Sequence, residues 1–185
     1  MARLFVAVEI PAPVRAALVD RLQPWQADLS GWRWTDPARW HLTLAFLGDV
    51  EERSAAGLPQ RLRRASRRHD GFDVGLNGLG AFSRPARAQV LMVGVVEGRQ
   101  PLGRLAASVS AAARRCKIDV DDRPYRPHVT LARRRVPTDL RGRLDSGASL
   151  GTPTWSVGSF VLVESHLGAQ VRHDVVERFA LGTER

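Results

Sequence analysis

The chain has 185 residues, 44% hydrophobic and 25% charged, with a formal net charge of +9, which is the make-up of one ordinary globular domain able to bury roughly 70% of its unfolded surface. No apolar run reaches the roughly eighteen residues of a membrane span, and Met1 to Ile10 turns acidic too soon for a signal peptide, so a cytoplasmic chain without a membrane partner is predicted. Cys116 is the only cysteine, which excludes an internal disulfide and leaves too few ligands for a thiolate metal site.

Arg3 to Ile10 reads as an apolar strand. Pro11 opens a helix with Val14, Ala17, Leu18 and Leu22 at helical spacing. Gly31 to Trp34 alternates like a strand, and Asp36-Pro37 signals a turn. Trp40 to Leu47 is a strand ended by Gly48-Asp49, Val50 to Arg68 a basic helix with Leu58 and Leu62 inward, and Phe72 to Leu76 a further strand. The order then repeats. Ala88 to Val96 is a strand; Pro101 opens a helix with Leu102, Leu105, Val109 and Ala112 on one face; a turn-rich stretch from Asp119 to Pro127 leads into a strand from His128 to Arg133. A short helix over Thr138 to Leu144 and strands over Trp155 to Glu164 and Val171 to Leu181, parted by Leu167-Gly168-Ala169, complete the reading.

Two strings are near copies: His41-Leu42-Thr43-Leu44 and, 87 residues later, His128-Val129-Thr130-Leu131. Arg3 to Val8 matches Gln89 to Gly94, and Phe72 to Gly75 matches Trp155 to Gly158. A repeat over roughly 3–82 and 88–165 predicts two lobes related by a pseudo-two-fold axis within one domain, with 166–185 completing the sheets and a cleft between the lobes. Alternate side chains of a strand point to opposite faces. His41 and Thr43 therefore share one face, as do His128 and Thr130, with the branched residues buried behind them. One neutral imidazole takes a proton from water and one imidazolium gives a proton to a departing oxygen, because histidine titrates near 6.5. The threonine hydroxyls suit non-bridging phosphate oxygens. No third metal ligand stands at a recognisable spacing, so neither a metal nor a cofactor is called for.

Of 28 basic residues 27 are arginine, a preference that suits phosphate, and the positive field suits RNA. Arg126 precedes the second motif; Arg133 falls on the strand parity opposite to His128 and reaches a phosphate only where the strand bends. Phe46, Phe82, Tyr125 and Trp155 are candidate stacking partners for a base, although Phe46 shares parity with Leu42 and Leu44, which favours the core. Trp32 and Trp34 share a face at the predicted cleft mouth. His69, His166 and His173 read as solvated.

Over nearly its whole length the chain resembles the two-histidine phosphoesterases, in particular the RNA 2′,3′-cyclic phosphodiesterases also called 2′-5′ RNA ligases. The likeness lies in Arg3 to Val8, Trp40-His41-Leu42-Thr43-Leu44-Ala45-Phe46-Leu47-Gly48, Leu79-Gly80-Ala81-Phe82, Tyr125-Arg126-Pro127-His128-Val129-Thr130-Leu131-Ala132-Arg133 and Val163-Glu164-Ser165. It implies a bilobal α+β fold with antiparallel sheets lining a cleft and helices outside, catalysis by His41 and His128, and phosphate contacts from Thr43, Thr130 and Arg133. His41 is taken as the acid and His128 as the base, an assignment that the pseudo-symmetry leaves open to reversal. Arg126, Phe46 and Tyr125 are expected to line the substrate. The expected partner is RNA ending in a 2′,3′-cyclic phosphate, or a small cyclic nucleotide, bound by a monomer. Reversible 2′-5′ joining at the same site and a non-catalytic RNA-binding module are the alternatives.

Overall fold

The computed structural model describes residues 1–82, 84–144, 150–168 and 171–182. In chain order the elements are β1 (Ala2–Glu9), α1 (Ala12–Asp28), β2 (Arg33–Trp34), β3 (His41–Val50), α2 (Glu52–Ser66), β4 (Phe72–Phe82), β5 (Ala88–Glu97), α3 (Arg99–Arg114), β6 (His128–Thr138), α4 (Arg141–Leu144), β7 (Trp155–Val157), β8 (Ser159–His166) and β9 (Arg172–Ala180). They make an α+β fold of two curled antiparallel sheets with the helices outside. The first sheet has the order β3-β1-β8-β9 and the second β2-β6-β5-β4-β7. The motif strands β3 and β6 hold matching places, each beside the strand that opens its half of the chain, β1 or β5.

The third strand of each half crosses over. β4, from the first half, pairs with β5 of the second, and β8 pairs with β1 of the first. The stretches Phe72–Val74 and Trp155–Val157, alike in sequence, pair antiparallel with each other. Trp155 to His166 therefore begins in the second sheet and passes at Gly158 into the first, so the single strand expected there is two. This exchange lets one apolar cluster run through both halves: Leu4, Val6, Leu42, Leu44, Val93, Val129, Leu131 and Leu162 all belong to it. Burying each such side chain is worth about 1.5–3 kcal/mol. The helices close it from outside, α1 with Val14, Leu18 and Leu22, α2 with Leu58 and Leu62, α3 with Leu102, Leu105 and Val109.

Several strands outrun their expected ends because ladder pairing overrides turn residues. β3 continues through Gly48-Asp49 to Val50, which still faces Ala2. β6 continues to Thr138, opposite Ala88. The short helix therefore starts later, at Arg141, where the Asp139 carboxylate accepts the Arg141 main-chain N–H at 3.0 Å. The register also shifts the match of the two opening strands by one residue. Glu9 faces His41 as Gly94 faces His128, so Phe5 occupies the place of Val90 rather than Leu91. One residue of slip exchanges the faces of a strand. Ala169, in the expected break before β9, lies outside the described residues.

Gly98 joins β5 to α3 at φ +78°, and a Cβ there would lie 2.3 Å from the Asp73 carbonyl oxygen. Gly98→Ala is expected to destabilise the fold by at least ~1 kcal/mol, since both backbone strain and a clash with main chain oppose it. Thermal unfolding should register this as a melting temperature lower by about 2–4 °C or more.

Candidate active site

Each histidine opens a strand, and the residue two before it supplies a carbonyl. His41 Nδ1 lies 2.7 Å from the Arg39 oxygen, and His128 Nδ1 lies 2.7 Å from the Arg126 oxygen. A carbonyl only accepts, so both Nδ1 atoms carry hydrogen and donate, and Nε2 is left on each ring for chemistry. The Arg39 carbonyl is placed by a 3₁₀ turn, Pro37–Arg39, capped by the Asp36 carboxylate accepting from Ala38 N at 2.9 Å. In the second half Arg126-Pro127 does the same work without a helical turn.

Beyond the threonines both strands bulge at the fourth motif residue. Ala7 faces Thr43 and Val6 faces Ala45, so Leu44 is skipped; Met92 faces Thr130 and Leu91 faces Ala132, so Leu131 is skipped. Consecutive residues, Leu44-Ala45 and Leu131-Ala132, are then both buried. The extra residue reverses the alternation. Phe46 and Arg133, each five positions after its histidine, thereby join the face of the His/Thr pair. The core position that parity favours for Phe46 is overturned, for it is 61% exposed. Arg133 is exposed and near enough for its charge to depress the His128 imidazole.

The surroundings of the imidazoles differ. The Phe5 ring stacks on His41 at 4.8 Å between centroids, and His173 meets both, 5.0 Å from Phe5 and 5.7 Å from His41. His173 is thus part of the site and not merely a solvated turn residue. By register it lies at the sheet corner diagonal to His41, beside Ser165, so the approach of the two rings measures how far the sheet curls. Arg39 strengthens this closure by donating from Nη1 to the Val171 oxygen at 3.2 Å. On the other side Phe82 stands edge-on to His128 at 4.7 Å. Neither Phe5 nor His173 gave a local signal in the sequence, because their partners are distant in the chain.

Burial dominates the electrostatics. It pushes His41 down to about 4, against the raising effect of the Arg39 carbonyl and with smaller depressions from His173 and His128. The last effect also shows that the two motif histidines are electrostatic neighbours. His128 is lowered by burial and by Arg133, partly offset by its bond to the Arg126 carbonyl. His173 is lowered by burial and then by Arg39. Both motif imidazoles are therefore neutral at pH 7 in the free protein.

Thr43 and Thr130 are half-buried beside their histidines. Tyr125 packs against the core, and its hydroxyl donates to the Thr43 carbonyl at 3.0 Å, tying the approach to β6 onto β3; burial pushes its phenol up. The Arg126 side chain is exposed. Trp155 is buried in the core. Trp32 is buried in a small second cluster with Leu91 and Ala132, so it does not line a cleft mouth, while half-buried Trp34 packs against both clusters. His69 pairs with Ser108 Oγ at 2.8 Å, and His166 with Asp174 at 3.1 Å. Among the described residues no group of three or more His, Cys, Asp or Glu side chains is placed to hold a metal ion, and no helix is long and apolar enough to cross a membrane.

A fold and a site of this kind have relatives. The family model described as the 2′-5′ RNA ligase superfamily matches residues 10–169. A Thermus thermophilus protein named RNA 2′,3′-cyclic phosphodiesterase is 34% identical over 196 aligned residues, spanning 98% of this chain and 91% of that protein. An Escherichia coli protein of the same name is 31% identical over 71% of both chains. The crystal structure of a Thermus thermophilus protein superposes with a TM-score of 0.81 at 31% identity, covering 99% of this chain and 100% of that one. E. coli LigT in its apo form gives 0.75 at 26% identity over 98% of each chain. The chain belongs to the 2′-5′ RNA ligase superfamily and is an enzyme.

Two measurements test the site. Unfolding exposes His41, whose ordinary value is near 6.5, so between pH 6.5 and 4 the unfolded chain binds more protons and stability falls as pH falls. Denaturant unfolding should show a loss of about 2 kcal/mol across that window, reduced in His41→Asn. Tyr125→Phe leaves the Thr43 carbonyl without its donor and should cost about 1–2 kcal/mol, read by the same method.

Proposed function

We propose that the enzyme hydrolyses the 2′,3′-cyclic phosphate at an RNA end to a 2′-phosphate, using His41, His128, Thr43 and Thr130 without a metal. The observation that carries this reading is the doubled geometry in which each imidazole is held by its Nδ1–H, which leaves Nε2 for proton transfer, with His128 close enough for its charge to be felt at His41. The names of the relatives from Thermus thermophilus and Escherichia coli agree with it.

In the proposed step His128 Nε2 takes a proton from water. The water oxygen attacks phosphorus, the P–O3′ bond breaks, and His41 Nε2–H delivers its proton to O3′. The product is a 2′-phosphate and a free 3′-hydroxyl. Thr43, Thr130 and Arg133 bear the charge of the non-bridging oxygens. The step begins with His128 neutral and His41 protonated. Burial and Arg133 keep His128 neutral. His41 gains its proton only with the substrate, whose phosphate anion offsets the burial that otherwise holds the ring near 4.

The proposed polarity is supported by the two bulged positions. The departing O3′ belongs to the nucleoside, so the acid stands on the nucleoside side and the water enters from the opposite one. Exposed Phe46 offers an apolar surface near His41 for the ribose and base, while the matching position near His128 holds Arg133, suited to phosphate. This favours His41 as acid and His128 as base. Joining an RNA 5′-hydroxyl to the cyclic phosphate is the same displacement with that hydroxyl in place of water: its proton goes to His128, O5′–P forms, P–O3′ breaks and His41 protonates O3′. The family description favours it as a second reading.

Replacing either histidine by alanine is expected to lower turnover of a cyclic-phosphate-ended oligonucleotide by about 10²–10⁴-fold, and the double variant little further. Activity should withstand EDTA, and the product should carry a 2′-phosphate. Substantial chelator-resistant turnover by the double variant, or tight RNA binding with no turnover by the intact enzyme, would contradict the proposal.

A further inference from the structure

Strand β2 is only two residues long, yet it is firmly placed. Trp32 before it is buried, Trp34 packs against both apolar clusters, and Thr35 N donates to the Leu131 oxygen at 2.8 Å. Between the two tryptophans Arg33 is exposed. In the ladder Trp34 faces Ala132, and Arg33 faces Arg133. Trp34 and Ala132 point into the second cluster. Arg33 and Arg133 therefore share the opposite face, which after the bulge is the face of Thr130 and His128.

Two guanidinium groups directly opposite on neighbouring strands repel, and such like-charged pairs destabilise a sheet. Among the described residues neither arginine has a carboxylate partner. Many other arginines do: Arg63 with Glu177, Arg114 with Asp122, Arg123 with Asp121, Arg172 with Asp174 and Arg178 with Glu9. A phosphate between Arg33 and Arg133 turns the repulsion into two charge-assisted contacts, since the guanidinium fork matches phosphate oxygens.

We propose that Arg33, acting with Arg133, forms a subsite for the RNA phosphodiester one nucleotide upstream of the cyclic end, so that the enzyme selects RNA ends over free cyclic nucleotides. The inference rests on the function proposed above. Arg133 is the nearer of the two to the reacting centre, two ladder steps from Thr130 and on the same face. Arg33 lies one strand further out, on the edge of the sheet, where the chain leaving the terminal nucleotide would pass. The base then lies against the wall holding Phe46, and the chain's next phosphate against the facing wall.

The test compares a cyclic-phosphate-ended trinucleotide with a nucleoside 2′,3′-cyclic monophosphate in the intact enzyme, Arg33→Ala and Arg33→Lys. In Arg33→Ala the ratio of kcat/KM for trinucleotide over mononucleotide should fall about ten-fold, and the salt dependence of trinucleotide binding should become shallower by about 0.7 in log–log slope. Arg33→Lys should keep the salt slope while losing part of the ratio. An unchanged ratio, or an equal fall for both substrates, would overturn the inference. Calorimetric binding of a 2′-phosphate-ended trinucleotide and of a nucleoside 2′-monophosphate reads the same ratio without turnover. An enzyme inactive on both cyclic substrates would thus refute the proposed reaction while the binding ratio still decides the subsite.

Discussion

A main-chain carbonyl two residues before each histidine governs what the imidazole can do. By taking the Nδ1 hydrogen it fixes the tautomer, fixes the ring plane and leaves one nitrogen for proton transfer. The rest of the site depends on that arrangement. The turn capped by Asp36 exists where the Arg39 carbonyl must be presented, and the Tyr125 hydroxyl holds the Thr43 main chain next to it. The exchange of β4 and β8 between the sheets welds both motif strands to one core, so the fold itself fixes where each imidazole stands.

The fold is doubled, but the proposed reaction is not symmetric, since in it one histidine begins charged and the other neutral. The bulges at Leu44 and Leu131 bring the fifth residue after each histidine onto the working face, and there the halves diverge to Phe46 and Arg133. The divergence extends outward. Phe5 and His173 enclose His41, whereas Phe82, Arg133 and Arg33 flank the side of His128. Burial makes His41 the more reluctant to charge, and in the proposed reaction this couples its protonation to arrival of an anion.

The doubled motif, the apolar strands and the helical faces were legible in the sequence because each is a local pattern of two or 3.6 residues. The His/Thr faces follow from alternation alone. Alternation also misplaced Phe46 and cast doubt on Arg133, because a bulge is set by the pairing of two strands and neither strand's own sequence announces it. Trp32 and Trp34 share a face as expected, but which face meets the core depends on the neighbouring Ala132. His173 gave no local signal. Its nearness to His41 comes from the curl of a sheet whose diagonal corners lie more than a hundred residues apart in the chain.

The central claim concerns where the protons sit, and nitrogen-15 NMR of the imidazoles reads that directly. In the free enzyme at pH 7 the account predicts neutral rings with hydrogen on Nδ1 for both His41 and His128. On saturation with a nucleoside 2′-monophosphate it predicts that His41 becomes doubly protonated. Hydrogen on Nε2 in the free enzyme, or a His41 ring still neutral with the nucleotide bound, would contradict it.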